Sequence, residues 1–124
     1  MKAYVVDDQR AIVELLILLL ADLDVEASGT TDPRIALEEI VDQRPDLVLL
    51  DILMPGVNGL TLLEQLQSEP RTGSIPVVLC TASALNPSQH RIFADQGVGI
   101  LSKPFDVAQL ADIVTALRGA GTPQ

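Results

Sequence analysis

A small set of polar residues stands where apolar runs end, and their types could act together. Asp7 and Asp8 follow Ala3–Val6, Asp51 follows Asp46–Leu50, Thr81 follows Pro76–Cys80, and Ser102-Lys103 follow Val98–Leu101. Three carboxylates brought to one place repel one another and raise one another's pKa values unless a cation intervenes. Lys103 supplies a point charge on a long stem, and hard oxygen ligands suit Mg²⁺, which keeps several waters and leaves room for a phosphate oxygen. Thr81 adds a hydroxyl donor and Ser83 a second. Such a set fits phosphoryl transfer, where positioning and charge neutralisation carry most of the catalysis. An aspartate can itself be the nucleophile and form an aspartyl phosphate. Asp51 is the candidate acceptor, because it stands alone after a central strand while Asp7 and Asp8 are available to hold the metal. Taken singly, each acid has an ordinary explanation, since strand-end aspartates often cap turns and helices. Their joint occurrence carries the argument.

The elements that must position these groups alternate regularly. Short β-rich runs at Ala3–Val6, Val25–Ser28, Asp46–Leu50, Pro76–Cys80 and Val98–Leu101 are separated by helical spacing over residues 9–23, 33–43, 59–68, 87–96 and 107–118. Asp32-Pro33 and Asn86-Pro87 pair an N-cap acceptor with proline at the first helical position, and Asn58 and Asp106 suit two further caps. Gly97 and Gly119 suit positions just past a helix end, where φ is positive. The third and fourth runs are continuously apolar, as strands covered on both faces are. Right-handed crossovers then give a doubly wound parallel sheet, with the ligand site outside the carboxyl ends of its strands. That rule gathers the polar set onto one edge. An antiparallel α+β arrangement has little room for its hairpins. No low-complexity segment or further repeat interrupts the pattern, and the expected domain is 1–119, with 120–124 as a tail or linker stump.

Composition limits the function. The 124 residues make one domain, 48 % hydrophobic but only 2 % aromatic, which argues against a binder that stacks bases on aromatic platforms. Eight Lys+Arg against seventeen Asp+Glu give a net charge of −9, the wrong sign for neutralising a phosphate backbone, so no direct nucleic-acid contact is expected. A single cysteine, Cys80, excludes an internal disulfide and any multi-cysteine zinc site and suits a reducing cytoplasm. The longest apolar stretch, Ala11–Leu23, is broken by Glu14 and Asp22 and falls short of the roughly 20 residues that cross a bilayer. No membrane partner is expected.

Four segments together resemble the receiver domain of two-component response regulators. They are Val5-Val6-Asp7-Asp8, the run Leu49-Leu50-Asp51-Ile52-Leu53-Met54-Pro55-Gly56-Val57-Asn58-Gly59, the segment Ile75-Pro76-Val77-Val78-Leu79-Cys80-Thr81-Ala82, and Lys103-Pro104-Phe105. They lie in the family's order over essentially the whole chain. The resemblance implies a flavodoxin-like (βα)5 fold with strand order 2-1-3-4-5. It implies that Asp51 accepts a phosphoryl group from a phosphohistidine on a sensor histidine kinase or histidine phosphotransfer protein. It implies that Asp8 and Asp51, with the carbonyl of Leu53, hold Mg²⁺ while Asp7 contributes through coordinated water. Lys103 would contact the phosphoryl oxygens and Thr81 would reorient toward them, with a downstream effector or fused output domain reading the change. The bond before Pro104 is expected to be cis. Beyond assisting its own phosphorylation and dephosphorylation, such a domain is not an enzyme.

Departures from the family pattern sharpen the expectation. Ile100 stands where the family commonly has Tyr or Phe, so an aromatic rotamer switch does not carry over. Leu53 and Ser83 occupy positions that influence phosphoryl lifetime, and apolar Leu53 is expected to slow hydrolysis. In the first helix, Ile12, Leu15, Leu16, Leu19 and Leu23 form the expected core stripe, and Val13 and Ile17 are expected to face a kinase. His90 reads as an ordinary surface histidine and Cys80 as inert core.

Two other functions share parts of this pattern. A haloacid-dehalogenase-type phosphatase also uses a strand-end aspartate, but wants a second acid two residues on, where this chain has Leu53. A flavodoxin-like redox carrier needs a phosphate loop after strand one, where Asp7 and Asp8 would repel the phosphate.

Overall fold

A computed structural model describes residues 1–54, 56–81, 86–103 and 105–121. Strands β1 (Lys2–Val6), β2 (Glu26–Thr30), β3 (Leu47–Asp51), β4 (Val77–Thr81) and β5 (Gly99–Ser102) form one sheet in the order β2-β1-β3-β4-β5. Every pairing in it is parallel. Helices α1 (Arg10–Asp22), α2 (Pro33–Gln43), α3 (Gly59–Ser68), α4 (Pro87–Asp95) and α5 (Val107–Gly121) make the crossovers. The doubly wound expectation holds, and the antiparallel alternative is excluded.

Strand alternation sends successive side chains to opposite faces of the sheet. Tyr4, Val6, Val48, Leu50, Val77 and Leu79 pack against α2, α3 and α4 through Ala36, Ile40, Leu62, Leu63, Leu66 and Phe93. Ala3, Val5, Leu47, Leu49, Val78 and Cys80 pack against α1 and α5 through Val13, Leu16, Leu20, Leu110 and Val114. Helices on both faces of the sheet bury every residue of β3 and β4.

The caps form as their side chains require. Asp32 accepts from the Arg34 amide, Asn58 from Leu60 and Asp106 from Ala108, while Asn86 and Gln89 make a reciprocal capping box. Gly97 follows α4 at φ +75°. Gly119 does not end a helix: α5 runs through it to Gly121, because nothing after Leu117 before that point forces the backbone out of helical conformation. Residues 122–124 lie outside the described residues. One element was not expected, a two-residue antiparallel pair of Leu53–Met54 with Val57–Asn58, turned at Gly56 with φ +75°.

Candidate functional site

The carboxyl ends of β1, β3 and β4 adjoin at the sheet centre. Val6 pairs with Leu50 and Asp51 with Cys80, so the residues that end or follow these strands share one edge. Asp51, Thr81 and Ser102 are the last residues of their strands rather than the first residues beyond them. The ladder thus fixes their main chains, and pairing rather than a loop positions the acceptor candidate.

Asp7, Asp8 and Asp51 each offer a carboxylate oxygen, and these lie within 4.8 Å of one another. Asp7 and Asp51 are buried and Asp8 is half-buried. Two unit charges at that separation repel by roughly 3 kcal/mol at an effective dielectric constant near 20, so the cluster calls for positive charge. Lys103 supplies part of it. Its Nζ donates to Asp7 Oδ2 at 2.8 Å and stands 3.6 Å from Asp51 Oδ1. Burial alone would pull the Lys103 ammonium's pKa down, but the Asp7 hydrogen bond and the charges of Asp51 and Asp7 outweigh it and hold the pKa above the usual lysine value. The main-chain N–H of Lys103 donates to the Thr81 carbonyl at 2.9 Å, which brings β5's end to the edge that carries Thr81. The other Asp7 oxygen accepts from the Gln9 N–H at 2.9 Å.

Gly59 has a role that its sequence position alone does not show. A Cβ there would lie 2.2 Å from the Asp51 carbonyl oxygen, so only glycine lets α3 begin directly against the end of β3. The Gly59 N–H donates to the Ile52 carbonyl at 2.9 Å, tying the helix start to the residue after Asp51.

A family model, the response regulator receiver domain, matches residues 3–115. The chain belongs to this family. Response regulator PleD of Caulobacter vibrioides is 36 % identical over 113 residues, which cover 91 % of this receiver and 25 % of PleD. Polar-differentiation response regulator DivK of Brucella anthropi is 33 % identical over 111 residues, covering 86 % of this receiver and 89 % of DivK. The N-terminal domain of a response regulator receiver protein from Methanoculleus marisnigri JR1 superposes with a TM-score of 0.77 at 27 % identity, covering 99 % and 98 % of the two chains. This receiver spans about half or less of the length of the first curated relatives it matches.

Within the receiver fold, the expectation for α1 needs correction. Val13 is a core residue, only 6 % exposed, because its side chain meets the β2 backbone at Gly29; a Cβ on Gly29 would lie 3.0 Å from it. Leu15, assigned to the core stripe, is instead 42 % exposed, and Leu18 is 66 % exposed. Leu16 is buried as expected, with Leu20, while Ile12, Ile17, Leu19 and Leu23 are partly buried against the same cluster. Ile100 is partly buried against Phe93's cluster on the opposite face. Cys80 is fully buried and its thiol is pushed up to about 12, chiefly by burial, as inert core should be.

Ser83, Pro104 and the side chains of Leu53 and His90 lie outside the described residues. The main chain of Leu53 pairs with Asn58 two residues after Asp51. Among the described residues, no helix is long and apolar enough to cross a membrane. Sequence reasoning did not single out the buried Tyr4 hydroxyl, which donates to the Glu39 carboxylate of α2. Its only signal was a lone tyrosine in a nearly aromatic-free chain.

Proposed function

We propose that this receiver accepts a phosphoryl group on Asp51, in a Mg²⁺-dependent reaction, from a phosphohistidine of a sensor kinase or histidine phosphotransfer protein. One observation carries the reading: three carboxylates crowd within 4.8 Å of one another beside a single lysine ammonium. One positive charge against three negative ones leaves a deficit that a divalent cation matches, and an all-oxygen donor set is what Mg²⁺ prefers.

Asp8 and Asp51, with the Leu53 carbonyl, would hold the ion. Asp7 has both oxygens engaged, by Lys103 and by the Gln9 amide, which suits a contribution through water. When bound, Mg²⁺ neutralises charge on the phosphoryl oxygens. An Asp51 oxygen forms the new bond to phosphorus as the P–N bond to the donor histidine breaks, and its electron pair leaves on the imidazole nitrogen. Lys103 already stands 3.6 Å from Asp51 and pairs with the added negative charge. Thr81, at the end of the adjacent strand, donates its hydroxyl to the phosphoryl group and passes the change to the α4 side. The domain assists only its own phosphorylation and hydrolysis, and Leu53 slows the latter.

Leu15 and Leu18 form the exposed apolar face of α1 and supply a docking surface for the phosphodonor protein. An effector protein or an output domain reads the switch, in the cytoplasm. Incubation with a small acyl-phosphate donor tests the reaction: a Mg²⁺-dependent gain of one phosphoryl mass is expected. Equal incorporation with excess chelator would contradict the metal requirement, and no incorporation would contradict the reading.

A further inference from the structure

Helix α1 ends on a double backbone closure. The Asp24 N–H donates to the Ala21 carbonyl at 3.0 Å and the Val25 N–H to the Leu20 carbonyl at 2.9 Å, the two bonds of a Schellman motif. Leu20 and Val25 are buried in one cluster, which supplies the apolar contact that accompanies such an ending. Asp24 holds the left-handed position of the motif at φ 61°, where glycine is the usual residue. The closure uses the Leu20 and Ala21 carbonyls, and the next pair of acceptors, Leu23 and Asp24, lies past the helix end.

A single side chain from α5 engages both. The Arg118 guanidinium donates through Nη2 to the Leu23 carbonyl and, at 2.9 Å, to the Asp24 carbonyl, across 95 and 94 residues of chain. The C-terminus of a helix is the negative end of its dipole and favours a cation. The last turn of α1 carries no basic residue of its own, and the charged residues around its end are Asp22, Asp24 and Glu26. Arg118 therefore brings from α5 the charge that α1 lacks. Its neighbour Leu117 packs against the cluster that holds Leu20 and Val25, so an apolar contact and a charged clasp join the same two elements.

The exposed residues Leu15 and Leu18 stand on α1 within about two turns of the clasped end. We propose that Arg118 is a positioning residue for partner docking: by clasping the open end of α1 from α5, it holds the apolar face of Leu15 and Leu18 in place for a phosphodonor protein. The proposal rests on the reading of that face as the docking surface. Helix α1 begins just after Asp7 and Asp8 and runs away from them, so the clasp lies at its end remote from the acidic pocket.

The test compares the wild type, Arg118→Met, Thr115→Ala and Leu18→Glu. Amide hydrogen exchange reads the clasp, and phosphorylation by a phosphorylated histidine phosphotransfer protein and by acyl phosphate reads docking. A cation at a helix C-terminus changes local opening about two- to fivefold, so exchange at Asp24 and Val25 should quicken by that factor in Arg118→Met, relative to Leu50. Thr115→Ala shortens another exposed side chain of α5 and should exchange as the wild type does. Transfer from the protein donor should slow by a similar factor in Arg118→Met and by more in Leu18→Glu, while acyl phosphate labels all four at one rate. Unchanged exchange at Asp24 and Val25 in Arg118→Met, or equal quickening in Thr115→Ala, would overturn the clasp. Slowed protein transfer in Leu18→Glu but not in Arg118→Met would overturn its role in docking. Unimpaired protein transfer in Leu18→Glu would instead sink the reading of the face itself.

Discussion

Lys103 lies nearer to Asp7 than to Asp51, its Nζ at 2.8 Å from one and 3.6 Å from the other. The lysine is therefore hydrogen-bonded to the acid that the family resemblance makes an indirect metal ligand, and is only charge-paired with the acceptor candidate. The acceptor candidate keeps a carboxylate oxygen close to a cation without surrendering it to a full hydrogen bond from that lysine.

The pocket's surplus negative charge makes stability and function oppose each other. Asp8→Asn should raise the stability of the metal-free protein by about 1 kcal/mol, because it removes one of three mutually repelling charges. Lys103→Met should lower it by about 3 kcal/mol, since it removes the ammonium that stands beside the buried Asp7 and Asp51 carboxylates. Urea denaturation in chelator checks both. A stabilising Lys103→Met would show that the lysine does not compensate the cluster.

Alkaline pH should unfold the protein in stages. Burial raises the Cys80 thiol to about 12, burial and Glu39 raise the Tyr4 hydroxyl, and the acid pocket raises Lys103 despite burial. A raised folded pKa contributes stability that is fully present below the unfolded value and is lost as pH rises through the folded one. Unfolded cysteine, tyrosine and lysine titrate near about 8.5, 10 and 10.4, so the loss should begin near pH 8.5 and steepen above about 10. Cys80→Val should delay the onset to about pH 10. Urea midpoints measured between neutral and strongly alkaline pH test this; an unchanged onset in Cys80→Val would refute the assignment.

Two glycines permit close approaches that a methyl would block. At Gly59 the added Cβ meets the Asp51 carbonyl oxygen at 2.2 Å, and at Gly29 it meets the Val5 carbonyl oxygen at 2.5 Å. Both neighbours are main-chain atoms of central strands, so neither can swing aside. Gly59→Ala and Gly29→Ala should each cost about 1–3 kcal/mol. Gly59→Ala should also slow phosphorylation by a small donor, because relief of the clash must move Asp51. Equal phosphorylation rates in Gly59→Ala and Gly29→Ala would show that the effect is one of stability alone.

The exposed and buried faces of α1 should separate partner effects from folding. Leu18→Glu lies on the outer face and should change stability by less than about 0.5 kcal/mol, while slowing transfer from a phosphodonor protein and sparing transfer from acyl phosphate. Leu16→Ala, in the core, should cost about 2–5 kcal/mol. Slower reaction of Leu18→Glu with both donors would move the docking surface elsewhere.

The sequence shows where chemistry gathers more clearly than it shows which way a helix turns. Asp7, Asp8, Asp51 and Lys103 were legible because a parallel sheet brings strand ends to one edge, whatever the exact boundaries. Their boundaries shifted by a residue because Asp51, Thr81 and Ser102 are polar yet still paired in the ladder. The α1 phase was misread for a physical reason: only Arg10, Glu14 and Asp22 are charged among its thirteen residues, so hydropathy does not mark the outer face. The Leu53–Met54 and Val57–Asn58 pair is too short for alternation to register. Tyr4 and Glu39 are far apart in the chain and meet only once β1 and α2 are packed.

The most direct test of the central claim is the intact mass of the wild type and Asp51→Asn after incubation with acyl phosphate and Mg²⁺. A single phosphoryl adduct on the wild type that is absent from a folded Asp51→Asn is the expected result. An adduct of equal yield on Asp51→Asn would contradict the assignment of Asp51 as acceptor.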